Sequence, residues 1–164
     1  MYNLYIICYT VPIPTEQGLS EMQLSRFTDY SLRVLLYLAV NRDTRATLHE
    51  IAAFYPLSLE HLRKVVHALA KSGYLRTYRG KHGGIELAVQ AEEVLIGNVI
   101  REFEGHSSLI DCEGLDCRLN SFCTLKKALR QGQEALFESL NTCSLADLVG
   151  SKPELVRLLS NTAV

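Results

Sequence analysis

Three cysteines within twelve residues form the densest group of potential ligands in this 164-residue chain, in the pattern Cys112-x4-Cys117-x5-Cys123. Their thiolates are soft ligands, which suit zinc, cuprous copper and iron–sulfur clusters. A structural zinc site needs four ligands, and no fourth cysteine lies close by. Three thiolates with one weaker or remote ligand therefore favour an iron–sulfur cluster, while structural zinc and redox-active thiols remain alternatives.

The full set of cysteines argues against a disulfide scaffold, because five is an odd number and no secretion signal is recognisable. Such cysteines are typical of the reducing cytoplasm, where we expect this protein to reside. Cys8 falls in a doubtful N-terminal stretch, and Cys143 is expected to be a buried structural residue. No apolar run reaches the roughly 18 residues that would span a bilayer, so no membrane partner is expected.

The charge is divided unevenly along the chain, although the net charge is only −1. Residues 22–90 contain ten Lys or Arg and five Asp or Glu, whereas residues 91–164 contain seven basic and eleven acidic residues. A basic segment beside an acidic one indicates that the first faces a polyanion. Chance clustering of solvated charges is the plainer alternative.

The basic segment has the pattern of a winged helix. Apolar periodicity predicts helices at Thr28–Asn41, from Thr47 to Tyr55, and from Ser58 to a stop at Gly73. The tight link between the last two helices is typical of a helix-turn-helix. Two alternating strands follow at 74–78 and 85–89, around a glycine-rich, basic tip that would form the wing.

Candidate DNA-binding residues lie at the start of the third helix and on the tip of the hairpin, where such proteins usually touch base edges and backbone. Arg63 could pair with guanine, and the glycines would allow close approach and the positive φ of a tight tip. Any one basic side chain could equally be a solvated surface charge. The candidates are Ser58, Glu60, His61, Arg63, Lys64, Arg79, Lys81, Gly83 and Gly84.

The second half of the chain is expected to hold the ligand loop and a dimerisation helix. A short helix begins at Ile96 and ends at Gly105, and a longer one spans about Cys123 to Leu140. A last short helix starts near Ser144, with Asp147 at its third position. Apolar residues of the long helix recur at threes and fours, which favours packing on a partner helix over packing on its own domain. These residues are Leu125, Ala128, Leu129, Gly132, Leu136 and Leu140.

The predicted fold is therefore mainly α-helical with a small β-hairpin wing: a winged helix-turn-helix domain followed by a long dimerisation helix. Residues 1–21 are expected to be a disordered or non-native extension, 22–90 the DNA-binding domain, and 91–164 the ligand loop and dimerisation helix. No nucleophile elbow, phosphate loop or paired-carboxylate pattern appears, so an enzyme is not expected.

From Met22 to about Leu159 the chain resembles the Rrf2 family of bacterial winged-helix regulators. The resemblance is carried by three segments, 22–33, the wing 79–85, and 96–104, together with the three cysteines and the tail 144–149. The spacing of the cysteines is similar to that of the family members that repress transcription and sense nitric oxide.

This resemblance implies a homodimer that binds double-stranded operator DNA and releases it when nitric oxide attacks an iron–sulfur cluster, either 4Fe–4S or 2Fe–2S. Cys112, Cys117 and Cys123 would hold the cluster, and Asp29 of the other subunit would complete it. Asp29 could instead be an acid favoured by the helix dipole and paired with Arg33. The alternatives are a regulator of the same fold that senses cluster supply or redox state and, less favoured, a zinc-stabilised interaction protein.

Overall fold

The computed structural model describes residues 23–81, 83–104, 109–110, 112, 114, 117–119, 122–150 and 157–159. The predicted extension 1–21, with Cys8, lies outside the described residues. Within them the order of elements is the predicted one: α1 (Arg26–Val40), α2 (Leu48–Phe54), α3 (Leu59–Lys71), β1 (Leu75–Tyr78), β2 (Gly84–Leu87), α4 (Ile96–Phe103), α5 (Thr124–Leu140) and α6 (Leu145–Gly150). None of the described helices is long and apolar enough to cross a membrane.

Helix α1 begins two residues earlier than predicted because Ser25 caps it. The Ser25 hydroxyl oxygen accepts a hydrogen bond from the backbone N–H of Thr28 at 3.2 Å, which satisfies one of the free amides of the first turn. Helix α2 has the predicted capping box: the Thr47 side chain accepts from the Glu50 N–H at 3.2 Å, and the Glu50 carboxylate accepts from the Thr47 N–H.

One hydrophobic core joins the helices. Helix α1 packs on α3, α4 and α6, and α2 packs on α3. The buried face of α3 is the predicted one, formed by Leu62, Val65, Val66 and Leu69. It meets α1 side chains such as Leu35, which is fully buried. Burying a leucine or valine side chain contributes about 1.5–3 kcal/mol, so this interface fixes α3 on the body of the domain.

The hairpin is antiparallel, with Leu75 opposite Leu87 and Tyr78 opposite Gly84. An isolated bridge between Ala46 and Ile85 adds the segment before α2 to its edge. Both strands are shorter than predicted at the end away from the tip. There the Tyr74 N–H donates to the carbonyl of Leu69 in the last turn of α3, while the Tyr74 carbonyl still accepts from the Ala88 N–H of the second predicted strand.

Helix α6 begins as predicted, after Ser144. The Asp147 carboxylate accepts from the Ser144 N–H and hydroxyl at 2.8 and 2.6 Å, and these bonds lower the pKa of Asp147. Another bridge pairs Ser144 with Leu95, next to the start of α4. The bridge thereby joins the start of α6 to the start of α4.

Candidate DNA interface and ligand loop

The outer face of α3 presents the side chains predicted to contact DNA. Glu60, His61, Arg63 and Lys64 are all exposed. Lys64 and Glu60 form an ion pair of 3.3 Å, but both side chains are largely solvated, so the pair contributes little to stability. Ser58 occupies the predicted N-cap position, yet its side chain makes no capping bond. This face combines hydrogen-bond donors with acceptors, among them the Glu60 carboxylate, within the first two turns of a helix that the core holds in place.

The wing tip carries Arg79 and Lys81, both exposed. The prediction of a positive φ was wrong for Gly83 and right for Gly84, whose φ is +158°. The left-handed residue of the turn itself is Gly80, with φ +94°. Gly83 instead permits close approach, because a Cβ there would overlap the carbonyl oxygen of Tyr78. At Gly84 a Cβ would lie 2.8 Å from the Cβ of Arg45, so this glycine also serves close packing.

A set of three side chains near the tip of the wing, where Tyr78 pairs with Gly84, was missed by sequence reasoning. The Arg45 guanidinium lies 3.6 Å from the centroid of the Tyr78 ring, and its Nε donates to Glu86 at 2.9 Å. The Tyr78 hydroxyl also donates to Glu86, at 2.6 Å. Together the Tyr78 and Arg45 hydrogen bonds lower the pKa of Glu86. The set ties the segment before α2 to both strands and so fixes the wing relative to the helix-turn-helix.

Helices α4 and α5 meet in a close joint that sequence reasoning also missed. Gly97 has no room for a side chain, because a Cβ there would overlap the carbonyl oxygen of Phe137. The Asn141 side chain accepts from the Asn98 N–H at 2.8 Å and donates to the Asn98 side chain at 2.9 Å. Arg101 donates to Glu134 at 2.7 Å. The long helix is thus attached to α4 along its C-terminal half.

The predicted dimerisation stripe of α5 is covered by its own domain only at its C-terminal end. Leu140 packs against the core of its own chain, whereas Leu125 is 60% exposed and Leu136 is 44% exposed. The adjacent Phe137 is 6% exposed and lies beneath Arg101 of α4. Adjacent helical residues point about 100° apart, so the exposed part of the stripe and the packed face are distinct sides of α5. Packing on its own domain accounts for Leu140 but not for Leu125 and Leu136, and dimerisation through the stripe stays a prediction.

The three candidate ligand cysteines differ in environment. Cys112 is buried, and its carbonyl accepts from the Cys117 N–H at 3.3 Å, so a backbone hydrogen bond joins these two cysteines. Cys123 is the N-cap of α5, and its sulfur accepts from the Lys126 N–H at 3.4 Å. An amide aimed at sulfur stabilises negative charge there, as a thiolate ligand of a cluster requires. Cys143, outside this group, is half-buried and packs against the core.

Among the described residues, no three His, Cys, Asp or Glu side chains converge on a point that could hold one metal ion. The ligands of a cluster are divided among its two or four iron atoms, so three side chains need not converge on one point. A cluster is compatible with the hydrogen-bonded Cys123 sulfur and with the backbone hydrogen bond that joins Cys112 and Cys117. The described part of the chain has no preformed site for a single metal ion.

Asp29 lies in the first turn of α1, and its carboxylate accepts from the Nε of Arg33 at 2.8 Å. Both side chains are partly exposed, at 42% and 45%. This is the predicted pair four residues apart. The Arg33 guanidinium also lies 5.6 Å from the ring centroid of Tyr55, at the helix-turn-helix link. Burial raises the pKa of Tyr55 to about 12, so its hydroxyl stays neutral beside the arginine.

Comparison with known proteins agrees with this architecture. The family model described as "Rrf2: Iron-dependent Transcriptional regulator" matches residues 24–151. A relative from Geobacillus kaustophilus (strain HTA426), "HTH-type transcriptional regulator NsrR", is 42% identical over 84% of this chain and 97% of its own length. One of the same description from Halalkalibacterium halodurans is 40% identical over the same shares.

Among solved structures, "T. potens IscR" superposes with a TM-score of 0.65 and 24% identity, covering 82% of this chain and 90% of that one, which bears on the fold alone. The predicted winged-helix architecture is confirmed. The family and the relatives are transcriptional regulators, which also confirms the expectation that the protein is not an enzyme. With the family match spanning most of its length and relatives at 40–42% identity, this chain belongs to the Rrf2 family of transcriptional regulators.

Proposed function

We propose that the protein is a cytoplasmic, homodimeric repressor that binds double-stranded operator DNA and releases it in response to nitric oxide. An iron–sulfur cluster held by Cys112, Cys117 and Cys123 would control this binding. The relatives bear the name NsrR, and the cysteine spacing resembles that of the nitric-oxide-sensing members of the family. The observation that carries the proposal is that Cys123, a candidate ligand, caps the helix that presents the apolar stripe.

The DNA-binding part of the proposal rests on α3 and the wing. A helix in the major groove reads bases through residues near its N-terminus, where Arg63 and His61 are exposed. Arg79 and Lys81 would contact the backbone or the minor groove from the wing tip. The Arg45–Tyr78–Glu86 set would hold that tip at a fixed distance from α3, so that both surfaces engage one duplex.

The position of the cysteines supports a link between ligand state and DNA affinity. Two recognition helices must match half-sites about one helical turn apart, so the relative placement of two subunits decides specific binding. The cysteine segment lies between α4, which packs on α1, and α5, which carries the exposed stripe. When bound, an iron–sulfur cluster supplies iron atoms that react with nitric oxide. The cysteine and aspartate side chains would hold the two subunits in one arrangement.

Asp29 is proposed as the fourth ligand, donated from the partner subunit. On its own chain it does not join two of the described cysteines around one point. Its carboxylate is held by Arg33 through an exposed ion pair, which contributes about 0.5 kcal/mol or less. Breaking this ion pair so that the Asp29 carboxylate can bind iron would cost little free energy. When the bond between Asp29 and iron is broken, the Asp29 carboxylate would pair with Arg33 again.

The proposal is tested by anaerobic purification, followed by analysis of iron, sulfide and zinc. Iron and sulfide in equal amounts, with visible absorbance, are expected in the parent protein. Cys117→Ala should lose the iron but remain a folded dimer, and Cys143→Ala is the matched control that should keep it. Stoichiometric zinc without sulfide would instead support the zinc-stabilised alternative. Release of DNA by cluster loss or oxidation, but not by nitric oxide, would support a sensor of cluster supply or redox state.

A further inference from the structure

A group of large apolar side chains lies exposed around the last candidate ligand. Phe122, the residue before Cys123, is 91% exposed; Leu119 is 66% exposed and Leu125 is 60% exposed. A phenylalanine carries about 150–250 Å² of surface, nearly all of which faces solvent here. Adjacent exposed apolar side chains of this size are typical of a contact surface. We call Leu119, Phe122 and Leu125 the apolar cover.

The apolar cover adjoins the exposed stripe of α5 and shares Leu125 with it. Phe122 precedes the N-cap Cys123 and lies outside the helix. Within α5, Leu125, Leu129 and Leu136 follow one another at spacings of four and seven residues, a repeat typical of helices that pack on a partner helix. Phe137, on the other side of α5, already packs against the core of its own chain. An exposed stripe with this repeat can pack against the same stripe of a second copy that is related by a two-fold axis.

We propose that in the homodimer the apolar cover packs against the second copy and closes a water-poor wall beside the Cys123 sulfur. The inference rests on the proposed function and concerns access to the same site. A charged reagent must shed its hydration to pass such a wall, whereas a small uncharged molecule such as nitric oxide does not. The cover would therefore protect the ligand site from charged chelators while leaving it open to the signal.

The test compares Phe122→Ala and Phe122→Leu with Leu158→Ala, which removes an exposed leucine from outside the cover. The first arm measures the dimer dissociation constant of the cluster-free protein by sedimentation. Phe122→Ala should raise it at least tenfold, because the ring is lost from both copies. Phe122→Leu should raise it less, and Leu158→Ala should leave it unchanged.

The second arm uses the cluster-loaded protein at concentrations where every variant is dimeric. Iron loss to EDTA should be several-fold faster in Phe122→Ala than in the parent, while the rate of reaction with nitric oxide stays the same. An unchanged dissociation constant would overturn the inference, as would an unchanged EDTA rate or equal acceleration by both reagents. A parent protein that binds no iron would refute the proposed function, and an unchanged dissociation constant in the first arm would still refute the cover.

Discussion

Replacing Asp29 by asparagine distinguishes a ligand that acts across the dimer from an acid that only supports α1. The structural loss is small: the ion pair with Arg33 is partly exposed and contributes about 0.3–0.5 kcal/mol. The charge near the helix N-terminus adds roughly 0.3–1 kcal/mol. The free energy of unfolding of the cluster-free protein should therefore fall by about 0.6–1.5 kcal/mol, as measured by urea denaturation.

The functional loss should be much larger if Asp29 binds iron. An asparagine at this position would offer no anionic oxygen, so the site would retain three thiolates and an open position. We expect Asp29→Asn to keep iron under anaerobic conditions, with altered visible absorbance and circular dichroism and with faster loss in air. Its operator affinity should also fall. Arg33→Gln is the matched control, because it breaks the same ion pair but leaves the carboxylate available.

A mixed dimer then assigns the carboxylate to one subunit or the other. One subunit carries Asp29→Ala with all three cysteines, and its partner keeps Asp29 but lacks Cys112, Cys117 and Cys123. A ligand from the partner predicts one cluster with the parent spectrum in this heterodimer. A cluster with the altered spectrum would place the ligand on the same subunit. Parent spectra and parent operator affinity in the Asp29→Asn homodimer would refute any ligand role.

Three other variants test the DNA interface and the packing. Arg63→Ala should reduce discrimination between operator and random DNA by about 1–3 kcal/mol, whereas Arg79→Ala should weaken both similarly and lower the salt slope by about one; equal losses for Arg63→Ala would refute base reading. Gly97→Ala should destabilise the protein by roughly 1–3 kcal/mol in urea through overpacking against α5, while Gly150→Ala, in open space, should change little. Because the folded protein lowers the pKa of Glu86, the ionised carboxylate stabilises the fold at pH values above the ordinary pKa of glutamate, and this contribution is lost as the pH falls through the lowered value. Glu86→Gln should therefore flatten the decline in thermal stability below about pH 5.

The elements that could be predicted from sequence are those with a local pattern. The buried face of α3 repeats at three and four residues, and the capping box of α2 has its partners three residues apart. The Asp29–Arg33 pair likewise spans a single helical turn. The start of α1 was misplaced by two residues, since the periodicity begins after the capping residue Ser25 and does not include it.

Contacts between distant segments left no such pattern. Arg45 and Glu86 are 41 residues apart, and Asn98 and Asn141 are 43 apart. Each pair forms only because the core brings two elements together, and nothing near either residue in the chain signals its partner. Nothing in the local sequence distinguishes Gly97 from other helical glycines. The need for glycine there follows from the close approach of α5. The candidate ligands were identified by residue type and spacing, whereas the hydrogen bond to the Cys123 sulfur depends on where α5 begins.

The central claim is that reaction with nitric oxide, acting through the cysteine site, controls operator binding. The direct measurement is the fluorescence anisotropy of a labelled operator duplex with the anaerobic, cluster-loaded dimer, titrated with nitric oxide at fixed salt. We expect tight binding before addition and a fall in affinity of at least tenfold as nitric oxide becomes stoichiometric with iron, with no such response in Cys117→Ala. Operator affinity that stays unchanged while the cluster absorbance is lost to nitric oxide would contradict this claim.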